Sequence, residues 1–180
     1  MERDVERILI PGPRIAQRVG ELANSIATDI RNEGDGELSI LAILTGSLIF
    51  LSDFIRQLPL RLRVQLLTAS SYRGRATTPG RLIIDDSALD TLRGHRVLIL
   101  DDILDSGATL AAVRERVLAH GPRSVRTCVL LRKEKPKRVF RADYVGFDVP
   151  DTFIVGYGLD HDGLYRNLPD LVTLKPEALQ

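Results

Sequence analysis

Hydrophobic and polar positions along the chain follow helical and strand patterns in alternation. Apolar residues at helical spacing predict an amphipathic helix over Pro11–Ile30 and a second helix near Leu48–Leu58. A third apolar stripe, from Leu110 to Leu118, predicts a helix that ends at Gly121. Strands are predicted at Leu38–Leu44, Leu60–Leu67, Arg96–Leu100, Ser124–Leu131, Tyr144–Phe147 and Thr152–Val155, and a final run lies at Leu171–Leu174. This alternation predicts an α/β fold, with a mainly parallel sheet and helices on both faces.

Length and composition indicate a single-domain globular protein. A chain of 180 residues that is 44% hydrophobic predicts one domain, 1–180, with a full core. No apolar stretch approaches the ~18 residues of a membrane span, and neither a signal peptide nor a membrane partner is expected. The single cysteine, Cys128, fits a reducing, cytoplasmic location. The three isolated histidines, His95, His120 and His161, are predicted to lie on the surface.

The most informative motif is Val97–Thr109. Its apolar strand leads into Asp101, Asp102 and Asp105, and Ser106-Gly107-Ala108-Thr109 then opens a helix. Ligands of open parallel sheets bind at the carboxyl ends of strands. Backbone N–H groups at a helix N-terminus bind phosphate, whereas the carboxylates suit ribose hydroxyls or Mg²⁺. A turn capped by Asp105 is the simpler alternative, but three aspartates in five residues exceed the needs of a cap.

Two weaker segments could add to this site or lie beside it. Thr45-Gly46-Ser47 follows the strand Leu38–Leu44 and opens a helix, so it forms a second strand-end turn of anion-binding type, with Ser47 as a suitable N-cap. The densest basic segment, Arg132–Arg138, is interpreted as a solvated loop. The net charge of +1 gives no reason to expect a polyanion-binding protein.

The segment Asp151–Asp160, together with Arg166, is more specific. An aromatic ring at Phe153, exposed backbone and a downstream carboxylate suit a planar heterocycle beside a metal-bound diphosphate. The simpler alternatives are core packing for Phe153 and a surface ion pair for Asp160 and Arg166.

These segments together resemble bacterial hypoxanthine (hypoxanthine-guanine) phosphoribosyltransferases, of the type I phosphoribosyltransferase family, over nearly the whole chain. Val97–Thr109 resembles the family's phosphoribosyl-diphosphate (PRPP) signature. The other matching segments are Leu44–Ser47, Ser71-Tyr72, Leu130–Lys133, Asp143–Phe147 and Phe153–Asp160 with Arg166. The resemblance implies the type I fold with a small hood, formed mainly by about 136–180 and the extreme N-terminus.

The resemblance also implies a reaction of purine salvage. The 5-phosphoribosyl group of PRPP would pass to N9 of a 6-oxopurine, hypoxanthine or guanine, giving IMP or GMP and pyrophosphate. The implied PRPP-binding residues are Thr45, Gly46, Ser71, Tyr72, Asp101, Asp102, Asp105, Ser106, Gly107, Ala108, Thr109 and Arg166. The implied base-binding residues are Lys133, Phe153, Ile154 and Asp160, and the implied Mg²⁺ ligands are Asp101, Asp102 and Asp160.

Roles on the base follow from the same resemblance. Asp105 would be the general base that accepts the N7 proton, and Lys133 would donate to the 6-oxo group. Phe153 would stack on the base, and the backbone of Ile154 would contact its 1- and 2-positions. The sequence does not rank hypoxanthine, guanine and xanthine, because backbone groups would contact the 2-position.

Roles around the diphosphate complete the expected site. The Thr45-Gly46 turn would contact pyrophosphate, often through a cis peptide bond in this family. Asp160 would hold a Mg²⁺ on pyrophosphate, and Arg166 would neutralise that leaving group. Ser70–Gly80, with Ser71-Tyr72 at its start, would close over the reacting centre. The expected partners are the small-molecule substrates and further copies of the chain, as a homodimer or homotetramer, with no nucleic acid.

Two departures from the family pattern leave alternatives open. The position of Thr45 is commonly lysine in the family. The loop from Lys133 to Asp143 is about one residue shorter than usual, so Lys135 competes with Lys133 for the 6-oxo group. The alternative functions are an RNA-binding attenuator of pyrimidine operons with the same fold, and an adenine or orotate phosphoribosyltransferase. A lysine directed at a 6-oxo group disfavours adenine.

Overall fold

The computed structural model describes residues 1–68, 89–136 and 139–179. The strands are β1 (Val5–Ile10), β2 (Leu38–Leu44), β3 (Leu62–Thr68), β4 (Arg96–Leu104), β5 (Ser124–Lys133), β6 (Tyr144–Val149) and β7 (Leu171–Leu174). The helices are α1 (Gly12–Asn32), α2 (Leu48–Gln57) and α3 (Ala108–Ala119), and short 3₁₀ turns lie at Glu2–Asp4, Asp90–Leu92 and Pro176–Leu179.

In the described residues, five parallel strands form the main sheet in the order β3-β2-β4-β5-β6. Both faces are buried, because alternate residues of one strand enter different cores. Ile40 and Ala42 of β2 pack in the core that contains α1 and α2, whereas Leu41 and Ile43 pack in the core that contains α3. The predicted α/β fold with helices on both faces is therefore confirmed.

The central strand is longer than predicted. β4 continues to Leu104, so Asp101 and Asp102 belong to the strand rather than to an acidic turn. The reason is β5, which also runs beyond its predicted end and pairs with this extension through Ile103↔Leu131 and Leu104↔Arg132. Inter-strand hydrogen bonding thus keeps the two carboxylates on extended backbone, and the turn itself begins at Asp105.

The ends of the described chain form a second sheet that the hydrophobic pattern did not predict. β1 pairs with β7 in antiparallel fashion, from Val5↔Leu174 to Ile10↔Leu171. The predicted strand Thr152–Val155 is wrong, since only Val155 makes a single bridge, to Val172. β6 belongs to the main sheet, so part of the segment assigned to the hood, 136–180, lies in that sheet instead.

The predicted lid and the predicted absence of a membrane-spanning segment concern two further parts of the chain. The predicted lid, Ser70–Gly80 with Ser71 and Tyr72, lies outside the described residues. Among the helices of the described residues, none combines the length and apolarity needed to cross a membrane.

Candidate active site

A polar cleft of about 350 Å³ lies at the carboxyl ends of β2 and β4. The predicted PRPP residues that line it are Thr45, Gly46, Asp101, Asp102, Asp105, Ser106, Gly107, Thr109 and Arg166, and Asp160 lines it as well. Ala108 is the first residue of α3 and is not part of the lining. Residues more than 100 positions apart in sequence therefore meet where a parallel sheet normally binds its ligand.

The N-terminus of α3 supplies the anion-binding side of the cleft. Gly107 is the N-cap residue, with a left-handed φ of 86° that glycine adopts without strain. A Cβ at this position would also lie 2.6 Å from Cβ of Phe140. Because the N-cap is Gly107, the alternative in which Asp105 caps the helix is wrong. The first backbone N–H groups of α3 and its dipole favour a phosphate at this end.

Asp101 and Asp102 form a pair of adjacent carboxylates in the cleft. Asp101 is only 7% exposed, and burial together with the charge of Asp102 raises its pKa well above the usual range. Burial also raises the pKa of Asp102, although Ile103 N–H donates to Asp102 Oδ1 at 2.7 Å and opposes this shift. Two carboxylates that are costly to ionise in the free protein would be stabilised by hydroxyl donors or by a divalent cation.

The Thr45-Gly46 turn packs directly against this acidic pair. The peptide bond between Leu44 and Thr45 is cis, as the family resemblance implied for this turn. A Cβ on Gly46 would overlap the Asp102 carboxylate, with Cγ at 2.7 Å, so only glycine leaves room for that side chain. Ser47 is the N-cap residue of α2, but its Oγ donates back to Ile43 O instead of capping the helix.

A loop after β6 closes the same side of the cleft. A Cβ on Gly158, whose φ is 103°, would overlap the carbonyl oxygen of Gly46, so the absence of a side chain at Gly158 lets the two loops touch. Arg166 donates from Nη1 to Gly158 O at 2.7 Å, and its Nη2 lies 2.8 Å from Asp160 Oδ1. Asp160 and Arg166 are thus paired inside the cleft lining, which corrects the surface ion-pair alternative.

Asp105 is surrounded by a cluster of charges, in which Lys133 and Lys135 both face Asp105 and Asp151. Lys133 Nζ lies 3.5 Å from Asp105 Oδ2 and 3.3 Å from Asp151 Oδ1. Lys135 Nζ is in close contact with Asp105 Oδ1 and lies 3.4 Å from Asp151 Oδ2. Burial acts to raise the pKa of Asp105, but Lys135 and Lys133 outweigh it and lower that pKa. The sequence did not predict a role for Asp151, because nothing in its spacing places it beside Asp105.

Phe153 and Ile154 lie outside the lining of the cleft. Phe153 is 47% exposed, so its predicted alternative, core packing, is wrong. Its ring meets the His161 ring edge-on, with centroids 5.3 Å apart, whereas Ile154 is buried. The three histidines are half-buried rather than fully on the surface, and His95 hydrogen-bonds Ser39 at 2.8 Å.

A preformed metal cage is absent from the described part of the chain. There, no three His, Cys, Asp or Glu side chains form a group that could hold a metal ion. Asp101, Asp102 and Asp160 share the cleft but do not converge on one point. This donor set fits Mg²⁺ that is held by one or two carboxylates and completed by water and substrate phosphates.

Comparison with known proteins agrees with this geometry. Residues 8–162 match the phosphoribosyl transferase domain. The chain is 35% identical to the hypoxanthine-guanine phosphoribosyltransferase of Mycobacterium avium over 181 residues, covering 98% of this chain and 89% of the relative. It is 39% identical to the hypoxanthine phosphoribosyltransferase of Salmonella typhimurium over 171 residues, covering 94% of each.

Solved structures give the same result. The hypoxanthine phosphoribosyltransferase from Trypanosoma cruzi, as a point mutant in a ternary complex with substrates, superposes with a TM-score of 0.89 at 35% identity, covering 99% of this chain and 100% of that one. The enzyme from Staphylococcus aureus superposes with a TM-score of 0.90 at 34% identity, covering 100% and 97%. The chain therefore belongs to the phosphoribosyltransferase family, with the type I fold that its sequence predicted.

Proposed function

We propose that this protein transfers the 5-phosphoribosyl group of PRPP to N9 of a 6-oxopurine, hypoxanthine or guanine, in purine salvage. The products are IMP or GMP and pyrophosphate. The observation that carries this proposal is the cleft that combines an acidic strand end, a helix N-terminus and Arg166. Relatives named hypoxanthine or hypoxanthine-guanine phosphoribosyltransferase support the choice of base.

In this proposal, the cleft would bind PRPP in the following orientation. Its 5′-phosphate would accept hydrogen bonds from the N–H groups between Ser106 and Thr109 at the start of α3. The ribose hydroxyls would donate to Asp101 and Asp102. The diphosphate would then lie against the Thr45-Gly46 turn and Arg166, whose guanidinium stabilises the charge that grows on the leaving group.

Mg²⁺ is the cofactor of this proposal. Asp101 and Asp102 would hold it beside the ribose, and Asp160 would hold it beside pyrophosphate. When bound, Mg²⁺ would neutralise part of the charge of the diphosphate. Arg166 pairs with Asp160 in the cleft lining, so both side chains lie at the proposed diphosphate position.

The base would bind between the charge cluster and Phe153. Lys133, which is 14% exposed and anchored at the end of β5, is suited to donate to the 6-oxo group. The exposed ring of Phe153 offers a face for stacking, and the Ile154 backbone would contact the 1- and 2-positions. Asp105 would accept the N7 proton as N9 attacks the oxocarbenium-like C1′. The lid, Ser70–Gly80, would exclude water, and this assignment remains a prediction.

A substrate panel tests the proposal. Purified protein with PRPP and Mg²⁺ should consume hypoxanthine or guanine and release pyrophosphate, whereas adenine and orotate should remain. An RNA gel shift serves as the comparison for the attenuator alternative. RNA binding without base consumption would refute the proposed reaction.

A metal titration tests the cofactor separately. Chelation with EDTA should abolish turnover, because the carboxylates would otherwise face a polyanionic substrate unscreened. Added Mg²⁺ should restore it. Full turnover in excess chelator would contradict the assignment.

We also propose a cytoplasmic enzyme that is a homodimer or homotetramer. The free thiol of Cys128 is fully buried, which fits a reducing compartment. Light scattering of the purified protein measures the assembly, and a monomeric mass at assay concentration would contradict it.

A further inference from the structure

The charge cluster around Asp105 contains a lysine that the proposed reaction does not use. Lys133 and Lys135 each bridge the same two carboxylates, Asp105 and Asp151, so that positive and negative groups alternate around the cluster. Lys135 makes the closer contact with Asp105. Both Asp105 oxygens are therefore occupied by ammonium groups in the free protein, one by each lysine.

This arrangement conflicts with the demand of proton transfer. A carboxylate that accepts the N7 proton must direct a lone pair of one oxygen at the base. An ammonium group at each oxygen competes with the base for Asp105 and makes it a weaker proton acceptor. Departure of one lysine from Asp105 therefore favours binding of the base at this carboxylate.

Asp151 provides the place to which that lysine can move. Lys135 Nζ already lies 3.4 Å from Asp151 Oδ2, so a small side-chain rotation would exchange one carboxylate for the other. Lys135 is 27% exposed and follows β5, whereas Lys133 is 14% exposed and belongs to the strand. The more exposed lysine on the loop is the one with freedom to move.

We propose that Lys135 and Asp151 are positioning residues that control access to Asp105. Lys135 holds Asp105 in the free enzyme, and the incoming purine displaces it onto Asp151. The displacement leaves Lys133 in place to bind the 6-oxo group. This inference rests on the proposed function, and it assigns to Lys135 a part opposite to that of a base-binding lysine.

Opposite effects on the KM for hypoxanthine test the inference. Lys135→Met removes the group that competes with the base, so KM should fall roughly two- to five-fold, the value of a partly exposed ion pair, with kcat nearly unchanged. Asp151→Asn removes the alternative partner, so KM should rise by a similar factor. In the double variant the effect of Asp151→Asn should shrink to the part that acts through Lys133, because Lys135 is no longer there to be relocated. Lys135→Arg keeps the positive charge and should therefore keep the wild-type KM for hypoxanthine.

Control variants distinguish this inference from a general loss of folding, and wild-type turnover distinguishes it from failure of the proposed reaction. Lys175→Met changes a lysine that bonds the Arg3 carbonyl, far from the cluster, and should leave both constants unchanged. If Lys135→Met does not fold, Lys135→Gln replaces it. The inference would be overturned if the KM for hypoxanthine rises or stays constant in the Lys135 variant, or stays constant in Asp151→Asn. Turnover by the wild-type protein would still support the proposed reaction in that case. A wild-type protein without turnover would overturn both.

Discussion

Gly46→Ala is expected to weaken PRPP binding by displacing the Asp102 side chain. The added methyl group would overlap the carboxylate and lie 2.7 Å from its Cγ. Gly46 is not among the glycines with positive φ, so the substitution acts through this contact rather than through backbone conformation. Relief of the overlap requires Asp102 to rotate and give up the hydrogen bond from Ile103 N–H.

The size of the effect follows from two contributions. Overpacking of this kind costs roughly 1–3 kcal/mol of folding free energy. A charge-assisted hydrogen bond from a ribose hydroxyl to Asp102 contributes about 1.5–3 kcal/mol. Its loss should raise the Kd of PRPP by roughly 10- to 100-fold, since every 1.4 kcal/mol is about a factor of ten.

Titration calorimetry with PRPP and Mg²⁺ measures the binding term, and urea unfolding measures the stability term. The control is Asp102→Ala, which removes the carboxylate and leaves only a Cβ at 3.6 Å, an ordinary contact. In that background Gly46→Ala should change neither quantity further. Equal losses from Gly46→Ala with and without the Asp102 carboxylate would refute the reasoning.

Three further substitutions probe other parts of the molecule. Asp105→Asn should lower kcat by roughly 10²–10⁴ with little change in PRPP affinity, and near-normal turnover of hypoxanthine would remove Asp105 from the mechanism. Lys133→Ala should weaken hypoxanthine binding by about tenfold through loss of a charge-assisted hydrogen bond, with PRPP binding less affected. If Lys135→Ala weakens hypoxanthine binding and Lys133→Ala does not, the base contact belongs to Lys135. Burial and the acceptor Asp29 raise the pKa of Tyr144 from 10.0 to about 12, so the folded protein retains a proton that the unfolded chain loses, and stability should fall as pH rises from 10 to 12. Between pH 10 and 12, the urea midpoint of unfolding should fall less steeply with pH in Tyr144→Phe than in the wild-type protein. Equal dependence on pH in the two proteins would contradict this account.

The sequence predicted the main sheet because its strands carry a strong local signal. β2 lies at its predicted residues, and β7 coincides with the final run Leu171–Leu174, since a largely apolar run needs cover on both faces wherever it folds. β1 was missed, because Val5–Ile10 mixes charged and apolar residues and is stabilised by pairing with a strand far along the chain. The extension of β4 through Asp101 and Asp102 depends likewise on pairing with β5, which no local pattern of β4 reveals.

The site was predictable where one short segment carries it and less so where distant segments meet. The helix N-terminus at Gly107 follows from consecutive residues. The position of Asp151 beside two lysines depends on how the loops after β5 and β6 meet, and side-chain spacing in the sequence does not encode it. The packing of Gly46 against Asp102 is equally non-local.

The pairing of β1 with β7 has a consequence for the order in which the protein is completed during synthesis. The hydrogen bond from Thr173 to Glu6 joins residues 167 positions apart, so β1 emerges from the ribosome long before the β7 strand with which it pairs. The loop that carries Phe153 is tied to β7 through the Val155–Val172 bridge and shares this delay. A nascent chain that already includes β5 can thus assemble β2, β4, β5 and the start of α3, and with them the acidic pair and the phosphate-binding end, before the loop that carries Phe153 is fixed by β7. Ribosome-bound chains of increasing length should therefore bind phosphate esters before they bind purines.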